Sequence, residues 1–412
     1  MNPIYFGGVY IVWFLSTYFV VLTLLILFSK KEELYETKKF DYDNAPSVTV
    51  IVPAYNEEGK IGDTIESLKK IDYDDIEFII VNDGSTDNTS KETIESIGFD
   101  QRFRFIDRKE NKGKAYSLNQ AISYTKGEFI ACMDADSIVE KDVFIKALPY
   151  FEDNKTGAVT ITVQIREPKN FLHKIIEVEY IIGLSLYLKV LDFLGCIFVT
   201  PGPFSIYRAS MLRRIGGFDI TNITEDLEIA YRIHKSGYKI VNCMEAKVQT
   251  ICPPTFKGVY HQRRRWYSGA VQTLSKHRDV MFSRKYGMLG FFIPFNHLLK
   301  FLGMAVFLTS IYLLFSNIFG YFWKFRLTDW NILSQFSLIS IDLLRVNNVI
   351  FIGVSSVVLA LTLVFIGLAI TKHRHADKIK GIMGYPLFFF LYQMFWIGAI
   401  VSLFKRKKIS WR

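Results

Sequence analysis

"FIACMDADS", Phe129 to Ser137, joins an apolar run of strand length to two aspartates two positions apart. Read as a strand ending in an acidic loop, it closes a series of four. Apolar, β-branched runs precede it at Val48 to Val52, Ile76 to Val81 and Phe103 to Ile106, with helical stretches such as Ile61 to Lys70 and Lys91 to Ile97 between them. Strands alternating with helices at this spacing predict βαβ units, and hence an α/β domain with a mainly parallel central sheet. Ligands of such sheets bind in the crevice beyond the carboxyl ends of the strands. The four loops at those ends are "PAYNEE", "NDGSTDN", "DRKENKGKA" and "DADS". Three are acidic and one is basic, a pattern that suits a nucleoside diphosphate held through a divalent metal.

In extended backbone, residues two apart project to the same side, so the Asp134 and Asp136 carboxylates are expected to face one point, as a hard Mg²⁺ or Mn²⁺ requires. Such an ion bridges diphosphate oxygens and neutralises charge on a leaving nucleoside diphosphate. Taken alone, two aspartates after a strand describe a solvated loop equally well. The neighbouring strand ends tip the balance. Asp83 is expected at a nucleobase or ribose, Lys114 at the base or a phosphate, and Glu57 at the mouth of the first strand, with Gly59 and Gly113 giving the loops backbone freedom.

"NITEDLEIAYRIHKSGYKI" opens a helix near Thr224. Thr224 as cap and Glu225 and Asp226 as complements to the helix dipole would be ordinary helix chemistry. A transferase, however, needs a carboxylate to take a proton from the acceptor hydroxyl, and Asp226 is the best candidate outside the metal pair. In "HQRRRW", His261 to Trp266, a helical spacing puts Gln262, Arg265 and Trp266 on one face, suited to diphosphate oxygens and a sugar ring. Arg263 and Arg264 turn elsewhere, toward lipid phosphates.

Half of the 412 residues are hydrophobic, with 36 phenylalanines and 22 tyrosines, too apolar for an ordinary soluble enzyme. Phe6 to Phe28 carries no charge and is long enough to span the hydrocarbon core. Basic residues follow this run, against the order in a signal peptide, so it reads as a retained span. Lys30 and Lys31 direct the following region to the cytoplasm, and the net charge of +10 reflects such flanks, with no nucleic-acid partner. The four cysteines form no C-x-x-C pair, so neither a zinc site nor a disulfide framework is suggested.

The organisation expected is therefore a transmembrane helix over 1–29 and a cytoplasmic catalytic domain over 46–285. It includes interface helices near 171–194 and 256–280. A membrane region of about three spans follows over 286–404, with a basic tail at 405–412. Phe171 to Leu194 holds too many charges for a span and reads as an amphipathic helix on the membrane surface, with a buried core helix as the alternative. Pro294, His297 and Lys300 interrupt the first of the late runs and suggest a re-entrant turn or an extra crossing; Trp330 to Leu344 is a weaker crossing candidate.

The ordered set "PAYNEE", "NDGSTDN", "NKGKA", "DADS", "TED" and "QRRRW", with one span before and several after, resembles the membrane-embedded family 2 glycosyltransferases. These include cellulose, chitin, hyaluronan and poly-N-acetylglucosamine synthases, and the last group is the most similar. The resemblance implies a GT-A fold, inverting transfer from a UDP-sugar and a divalent cation, Mg²⁺ or Mn²⁺. It implies that Asp134 and Asp136 hold metal and diphosphate, that Asp226 is the general base, and that Tyr55, Glu57, Asp83 and Lys114 contact UDP. Glu225, Gln262, Arg265 and Trp266 become substrate contacts, and "TPGPFSIYRAS", Thr200 to Ser210, the acceptor-side wall. Gly202-Pro203 departs from the bacterial poly-N-acetylglucosamine pattern toward the chitin-oligosaccharide and hyaluronan types, which leaves sugar and product open.

The expectation is thus a multi-pass membrane enzyme polymerising a sugar, N-acetylglucosamine, from a UDP-sugar donor onto a glycan and exporting it among membrane lipids. The family also allows a small membrane accessory subunit. The alternatives are single transfer of a hexose to a lipid acceptor and, remotely, a nucleotide-binding transporter or scaffold without catalysis.

Overall fold

The computed structural model describes residues 3–35, 38–327 and 348–405. Trp330 to Leu344 and most of the basic tail lie outside them. Eight strands form one sheet: β1 (Val48–Ala54), β2 (Ile76–Asp83), β3 (Phe103–Arg108), β4 (Phe129–Met133), β5 (Ile138–Val139), β6 (Thr156–Ile165), β7 (Phe204–Arg208) and β8 (Lys239–Thr250). Their order is β3-β2-β1-β4-β7-β6-β8-β5. The first four are parallel, as the alternation of strands and helices predicts. The remainder is mixed: β7 runs antiparallel to β4 and β6, and β5 antiparallel to β8, while β6 and β8 are parallel.

The helices are α1 (Pro3–Ser29), α2 (Ile61–Lys69), α3 (Thr89–Ile97), α4 (Lys114–Ile122), α5 (Val143–Ala147), α6 (Phe171–Tyr180), α7 (Tyr187–Phe193), α8 (Ala209–Arg214), α9 (Glu225–Lys235), α10 (Phe256–Lys276), α11 (Gly287–Leu327), α12 (Asn348–Ile370) and α13 (His375–Phe404). Helices cover both faces of the sheet, which is why the central strands read as continuous apolar runs. Strand alternation sorts the core in two: Val50, Val52, Phe78 and Ile80 pack with α2 residues Ile61, Ile65 and Leu68. Ile51, Ile79, Val81 and Ile130 pack with Leu118 and Ala121 of α4 and Ile229 and Ile233 of α9.

Three helical segments, Pro3–Ser29, Arg284–Gly320 and Phe351–Ile370, are long and apolar enough to cross a membrane, and a fourth if the two arms of α13, bent by 55°, count as one crossing. α1 joins the later helices through Tyr5 to Ser310 at 2.9 Å and Trp13 to Ser355 at 3.0 Å. The interruption expected at Pro294 does not occur, because α11 runs through it. Proline cannot donate to the carbonyl one turn earlier, that of Gly290; the Phe282 N–H donates to that oxygen at 2.7 Å instead.

The Phe171–Leu194 segment departs from the amphipathic surface helix expected. α6, a six-residue π-helical stretch (Ile181–Leu186) and α7 are covered by protein over most of their length. Their charges find partners inside: Glu177 with Lys378 at 2.6 Å, Glu179 with Arg263 at 2.8 Å, and Lys189 with Asp192 at 3.0 Å. Burial of these four charges is tolerated because they are paired.

Candidate active site

Each strand-end loop arrives at the same edge of the sheet. Four of the expected residues converge there: the Lys114 ammonium lies 2.6 Å from Asp134 and 2.9 Å from Glu225, and Asp226 follows Glu225 at the start of α9. Burial opposes the Lys114 charge, but Asp134, Glu225 and Asp226 outweigh it and hold the ammonium above its ordinary range. The Asp226 carboxyl is pushed up to about 7, first by burial and then by the Glu225 charge, with Lys114 and Arg265 pulling the other way. A carboxyl near neutrality is suited to proton transfer.

The geometry of Asp226 depends on a residue the sequence did not single out for it. Thr200 donates twice to the Asp226 carbonyl, from its hydroxyl at 2.8 Å and its N–H at 3.1 Å. The carboxylate in turn accepts the Leu227 N–H at 2.9 Å. Thr224 precedes α9, but its side chain makes no capping bond. It packs instead against α10: a Cβ on Gly269 would meet the Thr224 Oγ at 2.2 Å. Gly202 is constrained similarly, since a Cβ there would stand 2.9 Å from the Lys114 Nζ and 3.0 Å from the Asp134 Oδ2. Only a glycine-flanked approach at such points fits without displacing its neighbours. A single glycine in a helix and one in a loop carry no local signal of this.

The two aspartates of the D-x-D pair are not presented by extended backbone. β4 ends at Met133, and the Ser137 N–H donates to the Asp134 carbonyl at 3.2 Å, forming a turn. Asp134 looks toward Lys114, whereas Asp136 accepts from the Thr250 hydroxyl at the end of β8 at 3.4 Å. Among the described residues no group of three or more His, Cys, Asp or Glu is arranged to hold a metal ion. The carboxylate oxygens are nonetheless the hard donors that Mg²⁺ or Mn²⁺ takes, and such ions are commonly completed by substrate phosphates.

Asp83 and Glu57 sit deeper than expected. Asp83 is 2% exposed and accepts the N–H groups of Lys112 at 3.0 Å and Gly113 at 2.7 Å, with Arg108 at 2.9 Å. Its immediate role is to shape the loop that delivers Lys114. Glu57 is buried, ion-paired with Lys60 at 2.8 Å, and its N–H donates to Thr89 at 2.8 Å. Tyr55 follows β1 directly and is half-buried.

α10 carries "QRRRW" against the site. Arg265 belongs to the electrostatic environment of Asp226. The Gln262 Oε1 is buried with no hydrogen-bond partner in the protein, an acceptor a ligand hydroxyl or amide would satisfy. Trp266 packs on the main core, and the Arg263 guanidinium lies 4.0 Å from its ring. Arg263 therefore does not meet lipid: it is 1% exposed and paired with Glu179. α6 stands where solvent or lipid would have to be, and this the helical spacing of α10 does not reveal. All four cysteines are free and buried, and burial pushes the Cys243 and Cys252 thiols up to about 11.

Against known proteins, the profile of Glycosyl transferase family 2 matches residues 49–216. That stretch is similar to a family 2 glycosyltransferase domain. The poly-beta-1,6-N-acetyl-D-glucosamine synthase of Staphylococcus aureus (strain MSSA476) is 33% identical over 264 residues, 63% of this chain and 64% of that protein. The same-named synthase of Staphylococcus epidermidis is 31% identical over 264 residues, with the same coverage. The matched stretch thus spans just under two thirds of these relatives' length. The mannosyltransferase PcManGT from Pyrobaculum calidifontis, solved with GDP-Man and Mn²⁺, superposes with a TM-score of 0.63 over 97% of this chain and 100% of that one, at 18% identity. The shared fold is of the GT-A type, a Rossmann-like domain with a mixed sheet. Glu225, Asp226 and α10 lie beyond the stretch matched by the family 2 glycosyltransferase profile.

Proposed function

We propose that this protein is a membrane-bound, inverting β-glycosyltransferase of family 2 that polymerises N-acetylglucosamine from UDP-N-acetylglucosamine and exports the polymer. The observation that carries the reading is the cluster in which Asp226, held near neutrality, shares one site with Lys114, Asp134 and Glu225. The 33% identity to poly-beta-1,6-N-acetyl-D-glucosamine synthases supports the choice of sugar.

In this reading Asp226 takes the proton of the acceptor's terminal hydroxyl. The freed oxygen attacks the anomeric carbon as the bond to the diphosphate oxygen breaks, and one in-line displacement inverts that centre. UDP leaves carrying the electron pair. Lys114, Gln262 and Arg265 face the diphosphate, Trp266 the acceptor end, and Tyr55, Glu57 and Asp83 shape the nucleotide side. Asp134 and Asp136 would hold Mg²⁺ or Mn²⁺, which supplies positive charge to the leaving diphosphate. Glu225 keeps Lys114 in position.

The domain over 46–285 is cytoplasmic in this proposal, where nucleotide sugars are made, with 1–29 as anchor and 286–404 as the multi-pass region that passes the glycan outward. The test is radiolabel transfer by full-length protein in detergent or liposomes, offered UDP-N-acetylglucosamine or UDP-glucose with Mg²⁺ or Mn²⁺, with the product sized. A polymer from the first donor alone is expected. A single lipid-linked sugar would overturn the product, and absence of UDP release would overturn the enzyme.

A further inference from the structure

Arg263 is the largest fully buried side chain described, 1% exposed, and the chemistry above has no use for it. Its Nη2 donates to the Glu179 Oε2 at 2.8 Å. The other Glu179 oxygen takes the Tyr392 hydroxyl of α13. The Arg263 Nε and Nη1 have no hydrogen-bond acceptor; the guanidinium lies instead 4.0 Å from the centroid of Trp266 and 5.6 Å from that of Tyr180. One residue beyond Trp266, Tyr267 stacks on Trp396 of α13 at 4.5 Å and 10° between planes. A second tie from α13 to α6 is the Lys378–Glu177 pair at 2.6 Å.

An ion pair at this depth is weak evidence for stability, because apolar residues of similar volume stabilise such a site as well or better. A planar guanidinium fixed by a carboxylate at one edge and lying against an indole has a geometric consequence that an apolar filler lacks. It sets the plane of Trp266. We propose that Arg263 is a positioning residue for the acceptor side of the site: anchored on Glu179, it fixes the Trp266 ring and registers α10 against the C-terminal helix α13. This rests on the glycosyltransferase reading, in which Trp266 meets the acceptor.

The variants are Arg263→Lys, which keeps the charge and loses the plane, and the double replacement Arg263→Met with Glu179→Gln, which removes the buried charges together. Full-length proteins in detergent are compared for melting temperature, UDP affinity and kcat with UDP-N-acetylglucosamine. Both variants are expected to bind UDP within about twofold of the parent and to lose about 10- to 100-fold in kcat, as small misplacements do. At least the double variant should melt within a few degrees of the parent. Parental kcat in Arg263→Lys, or a kcat loss that follows melting temperature through both variants, overturns the inference. Inactivity of the parent protein would instead sink the functional reading on which it rests.

Discussion

The Lys114 ammonium stands 2.9 Å from the Glu225 carboxylate, so the first turns of α4 and α9 are locked across the site by a pair whose side chains are 10% and 5% exposed. Asp134 completes the arrangement on the other side of the same ammonium at 2.6 Å. One cation therefore serves three carboxylates, with Asp226 the third.

Replacing Lys114 by Met removes the ammonium with which Asp134 and Glu225 pair, in a largely buried setting. Loss of stability of about 3–5 kcal/mol is expected, as for other broken buried pairs. Chemical denaturation of the full chain measures it. Unchanged stability would mean that the cluster is solvated.

Asp226→Asn removes the base and keeps the shape. Transfer is expected to fall by about 10²- to 10⁴-fold while UDP affinity stays near that of the parent. Single-turnover transfer and UDP titration separate the two; retained turnover assigns the proton to another group.

The pH dependence follows from the same residue. Burial raises the Asp226 carboxyl to about 7 from the ordinary 3.8, so the group is protonated below that value and cannot accept a proton. kcat/KM is expected to rise with pH through about 7 in the parent, and this limb should vanish in Asp226→Asn. Folding responds in the opposite sense. Between 3.8 and about 7 the folded chain holds a proton the unfolded chain has lost, so this contribution to stability is full below the window and disappears as pH rises through it.

Gly269→Ala should separate α10 from α9, because the new Cβ would fall 2.2 Å from the Thr224 hydroxyl. Overpacking of this kind costs about 1–3 kcal/mol, and a shift of α10 carries Arg265 away from Asp226. Gly183→Ala, where a Cβ meets nothing within 4 Å, is the control. Melting temperature and transfer rate should fall for the first and stay near the parent for the second.

Chelation tests the cation. With no cluster of three protein ligands among the described residues, Mg²⁺ or Mn²⁺ is expected to bind weakly alone and much more tightly with UDP present. Calorimetry of Mn²⁺ binding with and without UDP measures this, and Asp136→Asn should erase the difference. Equal binding in both cases would place the metal elsewhere.

Periodicity and strand-end chemistry make much of this protein legible in its sequence. Val48–Ala54, Ile76–Asp83 and Phe129–Met133 can be read as parallel strands because covered β-strands carry near-continuous apolar runs, a property of neighbouring residues; Phe103–Arg108, at the edge of the sheet, is legible from its place in the alternation of strands and helices. The strand ends bearing Lys114 and Asp134 follow from that topology, and Asp226 at a helix start from the local pattern around Thr224. The uncharged first helix likewise declares itself by length and composition alone.

Contacts between distant segments were decided by the tertiary structure. Helical spacing sets Arg265 apart but nothing local distinguishes Arg263 from Arg264; α6 brings Glu179 to the first of these two and makes it a core residue. The same holds for Thr200 under Asp226, for Gly269 against Thr224, and for Phe282 supplying the bond that Pro294 cannot make. Asp83, readable as a ligand contact, became the brace of a loop once Arg108 and the Gly113 amide closed on it. Sequence specifies which groups must be paired or buried, since that depends on each residue's own chemistry and its near neighbours. Which partner they meet depends on how helices and strands far apart in the chain pack, and that is settled only when the whole fold excludes water from between them.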